Sequence, residues 1–174
     1  DGGHDNDLNT SGDNLTLSHN FMVTVLPNVD YGDAPIPYPV TFAENGARHI
    51  SVGPRMGDRR DSETDGSHSP NADADGVDED GVVFGAFRVG EIDATVTVNV
   101  QNAPDGAKLD GWIDFNRDGN WGGLGEQVFA GFPVVEGDNL LEFDVPSWAA
   151  AGVTYARFRV SESGHLGIKG AADN

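Results

Sequence analysis

Cysteine is missing from all 174 residues. That absence excludes thiol catalysis, disulfides, zinc–thiolate sites and iron–sulfur clusters. Positive charge is scarce: 10 Lys and Arg stand against 29 Asp and Glu, a formal net charge of −19. Such a surface repels phosphates and anionic headgroups, which argues against nucleic acid and against an acidic membrane as partners. No apolar run approaches the ~20 residues that span a bilayer, so membrane insertion is not expected. The chain opens at Asp1 with no leader or lipidation signal and reads as a processed piece of something longer. It also lacks G-x-S-x-G, H-E-x-x-H and a phosphate-binding Gly-rich loop, and no enzyme activity is expected of it.

What is present points to β structure. Glycine reaches 24 residues while apolar residues still make up 37% of the chain, enough for one core with long loops. Phe21 to Leu26 alternates and predicts a short strand ahead of Pro27. Residues 27–81 are irregular and Pro-rich, a length that compact domains usually keep for function or for a metal. Strands follow at Val82 to Phe84, Phe87 to Val89, Ala94 to Val100, Leu109 to Phe115, Gln127 to Phe132, Leu140 to Val145 and Val153 to Val160. In the last of these Ala156, Phe158 and Val160 point one way, and Tyr155, Arg157 and Arg159 the other. Pro146 to Ala151 predicts one helical turn, closed by Gly152. Turn signals between short strands predict an all-β antiparallel sandwich, Ig-like or jelly-roll-like, with calcium-organised loops. Two parts are expected: residues 1–26 as a polar segment with a linker or donated strand, and residues 27–174 as the sandwich.

The chemistry lies in the carboxylates. Asp114-Phe115-Asn116-Arg117-Asp118-Gly119-Asn120 has the D-x-N-x-D-G spacing that opens a calcium loop, and Glu126 follows at the thirteenth position rather than the twelfth. Alternate side-chain oxygens curl round a hard cation, and the glycine permits the sharp turn. The competing reading is an Asp-Gly hairpin turn with solvated carboxylates. A second group, Asp61, Glu63, Asp65, Asp73, Asp75, Asp78 and Asp80, repeats the alternate spacing and is read as a further calcium site. The alternative there is a plain acidic loop. Calcium is favoured over magnesium, which prefers octahedral sites that keep several waters.

Several short motifs occur together in order. They are Asp30-Tyr31-Gly32-Asp33-Ala34-Pro35, Gly46-Ala47-Arg48-His49, Met56-Gly57 and Asp61-Ser62-Glu63-Thr64-Asp65-Gly66. Then come Asp78-Glu79-Asp80-Gly81, Trp112-Ile113-Asp114-Phe115-Asn116-Arg117-Asp118-Gly119, Glu126-Gln127 and Tyr155-Ala156-Arg157-Phe158-Arg159-Val160-Ser161. In that order, residues 30–173 resemble the GEVED domain, a module of large bacterial surface and secreted proteins. The name-giving Gly-Glu-Val-Glu-Asp motif is absent, and the chain stops at Asn174, about where it is expected to begin. Residues 1–26 resemble the closing strand of a preceding cadherin-like or Ig-like module. The resemblance implies a non-catalytic extracellular or cell-surface module, often beside adhesion domains. The extra strand at Phe21 to Leu26, with a closing strand missing at the other end, suggests in addition that other copies or neighbouring domains of the same protein are its partners, joined by strand donation into a fibre.

Three other functions compete with this one. A carbohydrate-binding module would use Trp121, in its glycine-rich loop, to stack on glycans, with Trp112, Trp148, Tyr31 and Tyr38 as further aromatic candidates. A hydrolase accessory domain is the next alternative. An intramolecular isopeptide bond would have to start from Lys108 or Lys169.

Overall fold

A computed structural model describes residues 19–25, 28–60, 62–74 and 81–172. Among the described residues, nine strands run in chain order: β1 (Val29–Tyr31), β2 (Arg48–Ile50), β3 (Arg55–Met56), β4 (Val82–Phe84), β5 (Ala94–Gln101), β6 (Ala107–Ile113), β7 (Gln127–Val134), β8 (Gly137–Phe143) and β9 (Ala156–Ser161). All strand pairs are antiparallel. β5 is the centre of one sheet: β8 pairs along one edge, while β3 and β4 share the other. The second sheet has the order β7-β6-β9, and β1 pairs with β2 in a small third sheet.

The alternation in β5 does what its period requires. Ala94, Val96, Val98 and Val100 are buried and the residues between them are half-buried. Opposite them lie Leu109, Ile113, Phe129, Val134 and Val160 of the other sheet, with Leu141 and Phe143 of β8. Two sheets closed over one apolar layer make the fold a β-sandwich.

A second core covers the outer face of the β7-β6-β9 sheet. There Ala34, Tyr38 and Val40 from the long irregular segment pack on Trp112 and Trp121. This changes the meaning of the β9 alternation. Arg157 and Arg159 sit on the face away from the main core, yet both are buried, because the irregular segment and the C-terminal residues cover them. Their guanidinium groups are the scaffold of that cover. Arg157 donates to the carbonyls of Ile168 and Pro39, and Arg159 to those of Gly167 and Gly170.

Three local expectations are corrected. Phe21 to Val25 belong to no strand and are exposed, Phe21 by 84% and Met22 by 96%; Leu26 lies outside the described residues. A strand needs a neighbouring ladder, and no described strand lies against this run. Phe87 to Val89 also forms no strand. Pro146 to Ala151 makes a single turn, Ala149 N–H to Pro146 carbonyl at 3.0 Å, and no helix. Among the described residues the one helical turn is a 3-10 turn at Phe42–Glu44, held by a capping box in which Thr41 and Glu44 satisfy each other's backbone N–H groups.

Candidate metal centre

The Asp114 loop begins where β6 ends and returns to β7 at Gln127. Its first residue is held from several sides. The Asp114 N–H donates to the Tyr155 carbonyl at 3.1 Å, and the Thr154 hydroxyl donates to the Asp114 carbonyl. The Tyr38 hydroxyl, 76 positions away in sequence, donates to Asp114 Oδ2 at 2.5 Å. Burial, then the hydrogen bond and charge of Asp114, push the Tyr38 phenol well above its ordinary value.

From there the loop climbs in side-chain turns of the kind Asp and Asn favour. Asp118 N–H donates to Asp114 Oδ1 at 3.1 Å and Asn116 Oδ1 at 2.8 Å, and Gly119 N–H to Asp114 Oδ2 at 2.9 Å. Asn120 N–H donates to Asp118 Oδ1, and Gly122 N–H to Asn120 Oδ1, each at 2.9 Å. Gly119 has φ +79, and a Cβ there would lie 2.4 Å from Pro37, so only glycine fits. The spacing read from sequence therefore does produce a loop wound on its own carboxylates and amides.

The loop closes on Glu126. Its Oε2 accepts the Gly123 N–H at 2.8 Å, whereas Oε1 is buried with no hydrogen-bond partner. Asp114 and Glu126 are both 0% exposed, while Asn116, Asp118 and Asn120 face solvent. Among the described residues neither buried carboxylate has an ion-pair partner. Arg117, the nearest cation in sequence, turns to the Ala151 carbonyl instead. Burial holds the Glu126 carboxyl above its ordinary range, and the Asp114 and Asp118 charges add to that, against the Gly123 N–H bonded to it and the Asn116 N–H, which lies outside hydrogen-bond geometry. Two buried carboxylates with an orphaned oxygen are costly alone and suit a hard dication.

The second acidic group fares differently. Asp61, Asp75, Asp78 and Asp80 lie outside the described residues. Glu63 accepts the Tyr31 N–H at 3.0 Å, Asp65 the Phe42 N–H at 2.6 Å, and Asp73 the Ser69 hydroxyl at 2.5 Å. The Ser69 and Asn71 hydrogen bonds lower the Asp73 carboxyl. Glu63 and Asp65 thus fasten two separate pieces of backbone, and Asp73 holds the Ser69 and Asn71 side chains. No cluster of three His, Asp or Glu is arranged as a ready metal-ligand group among the described residues, the Asp114 loop included, where most oxygens are taken by backbone N–H groups.

Trp121 is not a sugar platform. It is 1% exposed, with Tyr38 stacked at 4.1 Å on its ring and the Arg157 guanidinium 4.2 Å from its centroid. Tyr31, Tyr38 and Trp112 are likewise buried, and Trp148, half exposed, sets its edge on Phe115. What sequence reasoning missed is the support from Tyr38 and Thr154. Nothing local to either residue connects it to the loop.

Comparison with known families gives one finding. Residues 108–173 match the GEVED domain. The match takes in β6 from its second residue, the whole Asp114 loop, β7 to β9 and the C-terminal residues that Arg157 and Arg159 hold. It bears out the resemblance seen in the sequence over this span, and the motifs quoted between residues 30 and 81 lie outside it. Searches of curated proteins and of solved structures found no match.

Proposed function

We propose that this GEVED-containing sandwich is a calcium-binding structural or adhesive module of an extracellular surface protein. The observation that carries the reading is the orphaned Glu126 Oε1, fully buried beside the Asp114 and Asp118 charges. Asp114, Asn116, Asp118, Asn120 and Glu126 would hold the ion, and calcium would neutralise charge that no side chain offsets. Its role is stability: an ion bound only by the folded state adds about 2.7 kcal/mol at a hundredfold excess over Kd. The position suits that role, since the loop ties β6 to β7 and rests on Tyr38 from the outer cover and on Tyr155 just ahead of β9.

Partners are other copies or neighbouring domains of the same protein. The exposed apolar run Phe21 to Val25 supports strand donation, because an unpaired alternating segment gains a ladder only from another sheet edge. Melting curves in calcium and in excess chelator test the metal reading. Calcium should raise the melting temperature, and coincident curves would refute it.

A further inference from the structure

A cavity of about 520 Å³ opens at the β9 edge of the sandwich, where β1 to β4 pass it. Its charge runs against that of the chain. Arg55, Arg59, Arg60, Arg157 and Arg159 line it, five of only ten cationic side chains in a protein of net charge −19. Among the described residues, Asp30 and Asp33 are the acidic side chains in the lining, two against five arginines.

Much of the hydrogen bonding of these guanidinium groups goes to main-chain carbonyls. Arg60 meets Asp30 at 3.3 Å but gives its remaining donors to the carbonyls of Ile50, Val52 and Pro54. Arg157 and Arg159 donate to main-chain carbonyls, with Asp110 on the neighbouring strand as the acidic offset to Arg159. A carbonyl satisfies an N–H group without removing the guanidinium charge. His49 registers that charge. Its Nε2 faces Arg159 Nε at 3.1 Å, and burial, then the Arg159, Arg60 and Arg157 charges, hold it down to about 3.

Two cations remain for a ligand. Arg55 Nε is buried without a partner, and Arg59 lies at the exposed rim. An arginine fork fits a carboxylate, and Tyr31, Tyr155, Phe84 and Phe158 supply apolar and aromatic wall. We propose that this cavity binds a small organic carboxylate on a body of roughly one sugar ring, with Arg55 and Arg59 as the ion-pairing residues. The ligand is a sugar acid or a free carboxylic acid, and the site does not depend on the calcium reading.

Calorimetric titration of the full chain in calcium buffer, with glucuronate, succinate and glucose as probes, tests this. Glucuronate should bind saturably, weaken as salt rises, and lose about tenfold or more in Arg55→Gln and in Arg59→Gln. Comparable succinate binding identifies a free carboxylate as sufficient, and glucuronate binding alone identifies a sugar acid. Arg59→Gln keeps the test open if Arg55→Gln, which gives up a 3.3 Å bond to the Asp58 carbonyl, fails to fold. Glucose binding as well as glucuronate, neither acid saturating, or unchanged affinity in a folded Arg59→Gln protein would each overturn the proposal.

Discussion

Replacing Glu126 by Gln gives opposite signs with and without calcium. The two side chains are the same size, and Gln keeps the acceptor for Gly123 N–H, now at 2.8 Å from Oε2. In chelator the substitution removes a fully buried, unneutralised charge, and neutral replacement of buried charge gains about 1–4 kcal/mol. For a chain of this length that is a melting temperature roughly 2–16 °C higher than wild type. In saturating calcium the same substitution removes an anionic ligand. If Kd rises about a hundredfold, the calcium-induced stabilisation shrinks by about 2.7 kcal/mol, or some 5–10 °C.

Acid separates the cause further. The folded state holds the Glu126 proton more tightly than the unfolded state, so this group's contribution to stability is full below its ordinary 4.5. It is lost as pH climbs through the raised value. In chelator, therefore, wild type and Glu126→Gln should converge as pH falls towards 4.5. Calorimetry of both proteins across pH, with calcium and with chelator, reads all of this. A Glu126→Gln protein that melts below wild type in chelator and keeps the full calcium shift would refute the reasoning.

Tyr38→Phe removes a charge-assisted hydrogen bond to Asp114 and should cost about 1.5–3 kcal/mol by urea unfolding; an unchanged midpoint would deny Tyr38 its supporting role. His49 is held neutral with a folded value of about 3, so its contribution is present above its ordinary 6.5 and is lost as pH falls from there towards 3. His49→Gln, which keeps an acceptor for Arg159, should flatten that part of the stability profile, and an unaltered slope would assign it to carboxylates such as Glu44, lowered to about 2. Deleting residues 1–25 should leave a folded monomer that no longer associates in sedimentation. Full-length chain that stays monomeric at high concentration in calcium would count against strand donation.

Much of this protein is legible in one dimension, because strand alternation and turn chemistry are local. Val96, Val98 and Val100 announce the core face of β5 by their spacing alone. The Asp114 loop is equally readable, since each of its side-chain turns reaches only two to five residues. The burial of Trp121 is not legible, for the opposite reason. A tryptophan among glycines looks open until Tyr38 and Arg157 arrive from far along the chain. The same distance hides the arginine-lined cavity. Arg55, Arg59 and Arg60 stand about a hundred residues from Arg157 and Arg159, and no periodicity joins them. Burial decides the rest: Arg157 and Arg159 alternate like an outer face, yet a second layer of chain covers them. Sequence spacing sets which way a side chain leaves its strand, and only the packing of distant segments sets what it meets there.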